Sequence, residues 1–327
     1  MAPEIGIYYE HPDWFRPLFQ KLDERQIPYE KIDASGDYYD PESEVEYSLV
    51  FNRMSASAYL RGNGNAIFYT GGYLENLERS GVRVINGSRA FQIEISKALQ
   101  LSLLASLGLR FPATRVVNSV NKLAEAAAEL RFPILVKPNI GGRGAGIVKF
   151  DSIDDLRAAI ENKLMDPGID GTLIVQEFVD KRGGHINRVE TLNRKFLYAL
   201  KIYPTGENFN LCPAEICQTE IAESGEVCLA DGPKAGLKVK SFVPPVSIIE
   251  SVEQIVAAAQ IDVGGVEYLI DDRTGEPLFY DINALSNFVA DALNVVGFDP
   301  NERLVDFLEE ELERCATDTG CLSLAAG

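Results

Sequence analysis

A chain of 327 residues, 46% of them hydrophobic, is long enough for two or three packed lobes, and its net charge of −18 gives a surface that repels nucleic-acid phosphates and anionic lipid. No apolar run reaches the ~20 residues of a membrane span, and the first residues lack the basic start of a secretory signal. With five cysteines in no CxxC spacing and only two histidines, the expectation is reduced thiols in a cytoplasmic protein, without a zinc site or a histidine-based triad.

The predicted elements open in strand–helix alternation. Ile5 to Tyr9 reads as a strand, Trp14 to Gln26 as a helix with Phe15, Leu18, Phe19 and Leu22 at helical spacing, and Tyr29 to Ile32 as a second strand. Ser48 to Phe51 is a third strand running into Asn52 and Arg53, Tyr69 to Ser80 a helix, and Val82 to Ile85 a fourth strand. Ligands gather at the carboxyl ends of such a small parallel sheet, which makes Arg53 a substrate candidate; a surface salt bridge explains it equally well. Ser88 to Leu107 is predicted as one long helix carrying Lys97 near its apolar stripe. Leu109 to Val117 then leads, extended, into a new lobe with an alanine-rich helix at Asn121 to Leu130.

Pro133 to Phe150, PILVKPNIGGRGAGIVKF, is the most informative stretch. A strand carries Lys137 inside an apolar run, where a lysine is costly without an anion to meet it. Gly141, Gly142, Arg143, Gly144 and Gly146 form a hairpin tip whose N–H groups can fold over phosphate oxygens. The glycines join strand to strand, so neither a P-loop nor a dinucleotide turn fits, and the HRD and DFG sequences of protein kinases are absent. A Gly-rich hairpin with an exposed lysine is the plainer alternative.

A helix from Ser152 to Asn162 closes that block, and strands dominate from Leu173 to Asp180 onward. Arg188 to Thr191 and Lys195 to Tyr203 read as a hairpin, Ile248 to Ala259 as a helix, Gly265 to Ile270 and Leu278 to Ile282 as paired strands, and Pro300 to Arg314 as an amphipathic helix. Glu267 lies on one of the paired strands. Asp281 and Asn283 lie on the other, two apart and therefore on one face, giving an all-oxygen group of the kind Mg²⁺ prefers. Ordinary solvated acids on an edge hairpin are the alternative. Lys201, inside YALKIY, is a second lysine in an apolar strand.

Taken together, these segments resemble the ATP-grasp enzymes, nearest the RimK-like and glutathione-synthetase-like carboxylate–amine ligases. The resemblance runs through the lysine helix followed by LGLRFPAT, then VKPNIGGRGAG, VQEFV and FYDINA. It implies an α/β (α+β lobes) ATP-grasp fold: an N-terminal parallel-sheet domain over 1–90, a small lobe with the flap over 91–170, a C-terminal lobe with the metal site over 171–315, and a flexible tail over 316–327. It implies that Lys97, Lys137 and the flap hold the phosphates of ATP. Gln176, Glu177, Phe178 and Val179 would meet adenine, with Asp180 a weaker ribose candidate. Arg188 and Lys201 would face the γ-phosphate and acyl phosphate, and Glu267, Asp281 and Asn283 would hold Mg²⁺ (or Mn²⁺). The sequence departs from the family at Ser96, where Asp is common, at Asp281 for Glu, at Glu267 for Asp, and at Ala284–Asn287, where Ser-Pro-Gly often follows the metal asparagine.

The implied reaction joins a small-molecule carboxylate, an amino acid or short peptide, to an amine through an acyl phosphate. A small-molecule kinase and a non-catalytic nucleotide-binding regulator are the competing readings. Asn208 and Asn210 are candidate acceptor contacts in GENFNLCPAEIC, where a plain hairpin tip is the alternative. Dimers and tetramers are common in the family, which leaves a homo-oligomer open. Neither nucleic acid nor membrane is an expected partner.

Overall fold

A computed structural model describes residues 5–11, 13–204 and 238–317. The N-terminal unit comprises β1 (Ile5–Tyr9), α1 (Arg16–Glu24), β2 (Tyr29–Asp33), β3 (Leu49–Arg53), α2 (Gly64–Arg79) and β4 (Arg83–Ile85). Its strands are parallel in the order β2-β1-β3-β4. All five residues of β3 are buried, as expected of a central strand covered on both faces. Arg53 ends this strand, as its place at the carboxyl edge required.

Where one long helix was predicted there are two, α3 (Ser88–Glu94) and α4 (Lys97–Ser106). Ser96 is extended, and its Oγ accepts a bond from Leu99 N at 3.3 Å. Asn139, just past the lysine strand, accepts from Ala98 N at 2.8 Å through Oδ1. Periodicity cannot see such a break, because half of the cap comes from a distant segment. The result places Lys97 in the first turn of α4.

The second unit holds β5 (Thr114–Val117), α5 (Leu123–Ala127), β6 (Ile134–Pro138), β7 (Val148–Phe150), α6 (Ile153–Glu161) and β8 (Leu173–Glu177), with an antiparallel sheet ordered β5-β8-β6-β7. Two boundaries therefore differ from expectation. β8 belongs to this sheet and not to the C-terminal lobe. Ala90, Ile93, Leu103 and Leu104 of α3 and α4 pack in the core of the large sheet, outside the small lobe.

The third unit holds β9 (Ile186–Leu192), β10 (Lys195–Tyr203), β11 (Lys238–Phe242), α7 (Val246–Ala258), β12 (Val263–Ile270), β13 (Pro277–Asn283), α8 (Ala292–Val295) and α9 (Pro300–Thr317). Its strands are antiparallel in the order β11-β10-β9-β12-β13. One face packs on α7. The other shares a continuous core with the N-terminal unit, in which Ile5, Phe15 and Phe51 meet Ile186, Leu200, Val263 and Leu304. α9 lies against α1 and β3, and Lys21 of α1 and Arg25 just past its end pair with Glu302 and Asp306 of α9 at 2.7 Å each. Among the described residues no helix is long and apolar enough to cross a membrane.

Candidate active site

A cavity opens where the three units meet. It is lined from the large sheet by Arg188, Glu190, Glu267 and Asp281, from α4 by Lys97, from β6 by Lys137, and from above by the flap. The cross-strand register sets the first group. Arg188, Glu267 and Asp281 stand directly opposite one another on β9, β12 and β13, so their side chains share one face. A bulge at Tyr280, between the pairs Glu267–Asp281 and Tyr268–Phe279, turns Tyr280 toward the same cavity.

Arg188 Nη1 donates to Glu267 Oε1 at 3.0 Å and Nε to Glu190 Oε1 at 2.6 Å. Tyr280 Oη donates to Glu267 Oε2 at 2.9 Å. Burial, reinforced by the nearby Asp281 charge and opposed by Arg188, pushes the Glu267 carboxyl up to about 7. Asn283 Nδ2 donates to Asp281 Oδ2 at 3.3 Å, leaving the Asn283 Oδ1 as a further oxygen on that edge. Two opposed carboxylates and an amide oxygen form a hard donor set, and a carboxyl this reluctant to ionise alone is what a divalent cation would hold charged. The residues fit Mg²⁺ or Mn²⁺.

Opposite them stand two cations. Lys97 Nζ lies 3.6 Å from Asp281 Oδ1. Lys137 is 6% exposed, and its one side-chain hydrogen bond among the described residues is to the neutral Gln176 Oε1 at 3.0 Å. Burial, followed by the Lys97 charge, lowers its ammonium to about 8. Gln176 is itself fixed by donating Nε2 to Thr114 Oγ1 at 2.9 Å. The flap tip takes left-handed backbone at Arg143, Gly144 and Gly146 (φ 59°, 74° and 72°), which explains the glycines at 144 and 146. Gly142 sits against the Ser55–Ser57 loop of the N-terminal unit, where a Cβ would approach Ser57 Cβ to 2.9 Å.

At the exit of β8, Gln176, Glu177, Phe178 and Val179 line the cavity. Glu177 N donates to Ala113 O, and its carboxylate accepts from Arg131 N at 2.9 Å. Val179 N–H, by contrast, donates to no group among the described residues. Asp180 is exposed and does not line the cavity; Lys181 does.

Two further expectations are not met. Lys201 stands opposite Asn187, whereas Leu200 stands opposite Arg188, so the period of two sends Lys201 to the other face of the sheet. There its Nζ lies 5.2 Å from the Phe242 ring centroid. Arg53 is 3% exposed and behind the cavity wall, donating Nη2 to Ser286 O and Asn287 Oδ1. Asn208 and Asn210 lie outside the described residues.

Several lining residues escaped sequence reasoning. Glu94 accepts from Ala284 N at 2.6 Å and Leu285 N at 3.2 Å, gripping the chain just past Asn283, and burial pushes its carboxyl up to about 7. Gln100 brackets Ile282, donating to its carbonyl and accepting from its N–H. Its position among leucines on α4 was the available signal. Trp14, the Ser55–Ser57 loop and Asn287 complete the wall toward the N-terminal unit.

Residues 95–209 match the RimK-like ATP-grasp domain family. A probable alpha-L-glutamate ligase of Trichodesmium erythraeum is 23% identical over 75% of this chain and 74% of its own length. A D-alanine–D-alanine ligase of Haemophilus influenzae is 30% identical over 25% of this chain, which spans only 26% of that relative. Among solved structures, ATP-grasp ligase PsnB complexed with minimal precursor superposes with a TM-score of 0.67 at 18% identity, covering 95% of this chain and 100% of that one. D-alanine–D-alanine ligase from Bacillus anthracis complexed with ATP gives 0.66 at 15% identity, covering 97% and 99%. These two likenesses are of fold, and the local alignments add the central domain. The match over residues 95–209 identifies that stretch as a RimK-like ATP-grasp domain, and the chain as a whole has the fold of ATP-grasp ligases.

Proposed function

We propose that the protein is an ATP-dependent carboxylate–amine ligase that forms an amide bond through an acyl phosphate, with an amino acid or short peptide as the acid. The observation that carries this reading is the convergence of Lys97 and Lys137 on one side of a single cavity with Glu267 and Asp281 on the other, beneath a glycine flap. A triphosphate relieves the buried Lys137 charge, and Val179 N–H is a ready donor for an adenine ring nitrogen. The relatives' names, glutamate ligase and D-alanine–D-alanine ligase, support the substrate class.

In the first step a carboxylate oxygen attacks the γ-phosphorus, and the β,γ-bridging P–O bond breaks with its electron pair leaving on ADP. In the second, the amine nitrogen bonds to the acyl carbon, the C–O bond to phosphate breaks, and the amine gives up a proton. Lys97 and Lys137 bind and orient the phosphates, Arg188 faces the transferred group, and the flap excludes water from an intermediate that hydrolyses readily. A divalent cation held by Glu267, Asp281 and Asn283 supplies charge neutralisation of the phosphates when bound. No protein nucleophile is needed. The test is an ADP-release screen pairing carboxylic acids with amines, with products identified by mass spectrometry. Release that requires both partners and yields an amide supports the reading; release driven by a hydroxyl compound alone, giving a phosphate ester, overturns it.

A further inference from the structure

Arg53 sits between the Phe15 and Phe51 rings, its guanidinium carbon 4.8 and 5.0 Å from their centroids. Its Nε and Nη1 meet no acceptor among the described residues, and burial lowers its pKa to about 9. Nη2 donates to Ser286 O at 2.6 Å and Asn287 Oδ1 at 2.9 Å. A buried cation so sparsely compensated is unfavourable, so what it holds matters. A guanidinium has donors only, hence the amide atom it meets must be the oxygen. That determines which way the Asn287 amide faces. Oδ1 is turned inward to Arg53, and Nδ2 is the end left to the cavity that Asn287 lines, with no acceptor among the described residues. On the neighbouring residue, Ser286 Oγ lies 3.4 Å from Arg188 Nη2. Arg188, Ser286 and Asn287 all line the cavity, with Ser286 joining the arginine to the residue next to Asn287.

We propose that Asn287 donates through Nδ2 to the acyl oxygen as the amine attacks, and that Arg53, which touches no substrate, is the positioning residue that sets the amide's orientation. This rests on the ligase reading. As the N–C bond forms, the carbonyl electron pair moves onto the oxygen, and a donor already aimed at that oxygen stabilises it more than the starting carbonyl. When the C–O bond then breaks, phosphate carries off that bond's electron pair, the carbonyl re-forms and the nitrogen proton goes to solvent.

The substitution Asn287→Asp isolates the donor. It keeps the side-chain shape and still accepts from Arg53, now as an ion pair, but offers nothing to the cavity. Expected is a fall in kcat for amine-dependent ADP release of about 10²–10³-fold, the usual effect of losing one such donor, with KM for ATP within two-fold of wild type and no loss of thermal stability. Asn287→Ala, which adds no charge, should show the same split and carries the test if N287D does not fold. Arg53→Lys, which keeps the charge but loses the planar fork, should lower kcat by a smaller factor at unchanged KM for ATP. N287D turning over within three-fold of wild type overturns the proposal alone. Wild-type protein that releases ADP only with hydroxyl acceptors overturns the ligase reading and this proposal with it.

Discussion

Lys137→Met removes a buried ammonium of the small lobe whose one side-chain hydrogen bond among the described residues is to a neutral amide. The depression of its pKa from 10.5 to about 8 is equivalent to roughly 3 kcal/mol of disfavour for the charged form. Because a base is depressed, the sign is definite. The penalty is fully present below pH 8 and is relieved as pH rises from 8 to 10.5. Methionine fills similar volume but leaves Gln176 Oε1 unmet, a loss of about 1 kcal/mol. Lys137→Met should therefore stabilise the nucleotide-free protein by about 2 kcal/mol at pH 7, with the gain shrinking toward pH 10. It should also abolish the stabilisation by ATP and Mg²⁺, which for wild type reaches about 2.7 kcal/mol at a hundred times Kd. Urea denaturation at pH 7 and pH 10, with and without nucleotide, reads all three effects. A variant less stable than wild type at pH 7, or one stabilised equally by nucleotide, refutes the assignment of Lys137 as a strained phosphate ligand.

Gly142→Ala drives a methyl against Ser57, so the flap should seat poorly and KM for ATP should rise about ten-fold, read in steady-state ADP release together with faster proteolysis at the flap. Glu267→Gln should lower Mn²⁺ affinity of the nucleotide complex by at least about ten-fold, measured by calorimetry. In wild type that affinity should weaken as pH drops through about 7, because the raised carboxyl must be ionised to bind; a flat profile from pH 6 to 8 contradicts this. Gln100→Leu strands the N–H and carbonyl of Ile282 and should cost about 2–4 kcal/mol in urea denaturation.

What the sequence made legible was chemistry whose signal is local. A lysine within Ile134–Pro138, glycines clustered at the turn, and Asp281 two residues from Asn283 need only strand alternation to be understood. Lys201 was misassigned because its face depends on the pairing of β10 with β9, and that register puts Leu200 opposite Arg188. The break before Lys97 depends on Asn139, and β8 joins the small lobe because strand order is a tertiary fact. Asn287 and Glu94 are silent in the sequence for the same reason. Their meaning lies in Arg53 and in the Ala284–Leu285 amides, each more than a hundred residues away along the chain.

The distribution of apolar contacts also says which parts travel together. The parallel sheet and the large antiparallel sheet are fused by one core and strapped by α9, whereas Val117, Leu123, Val136, Phe150 and Val175 form a nucleus confined to the small lobe. Two rigid pieces result, a heavy base and a light jaw, connected through the chain before Thr114 and the chain after Glu177. Swinging the jaw carries Lys137 and the glycine tip as one body toward carboxylates that stay put. Besides two short backbone pivots, such a swing has to part Ile140 from the core of the N-terminal unit and Asn139 from the first turn of α4, so the seam that opens is the one that also caps the Lys97 helix.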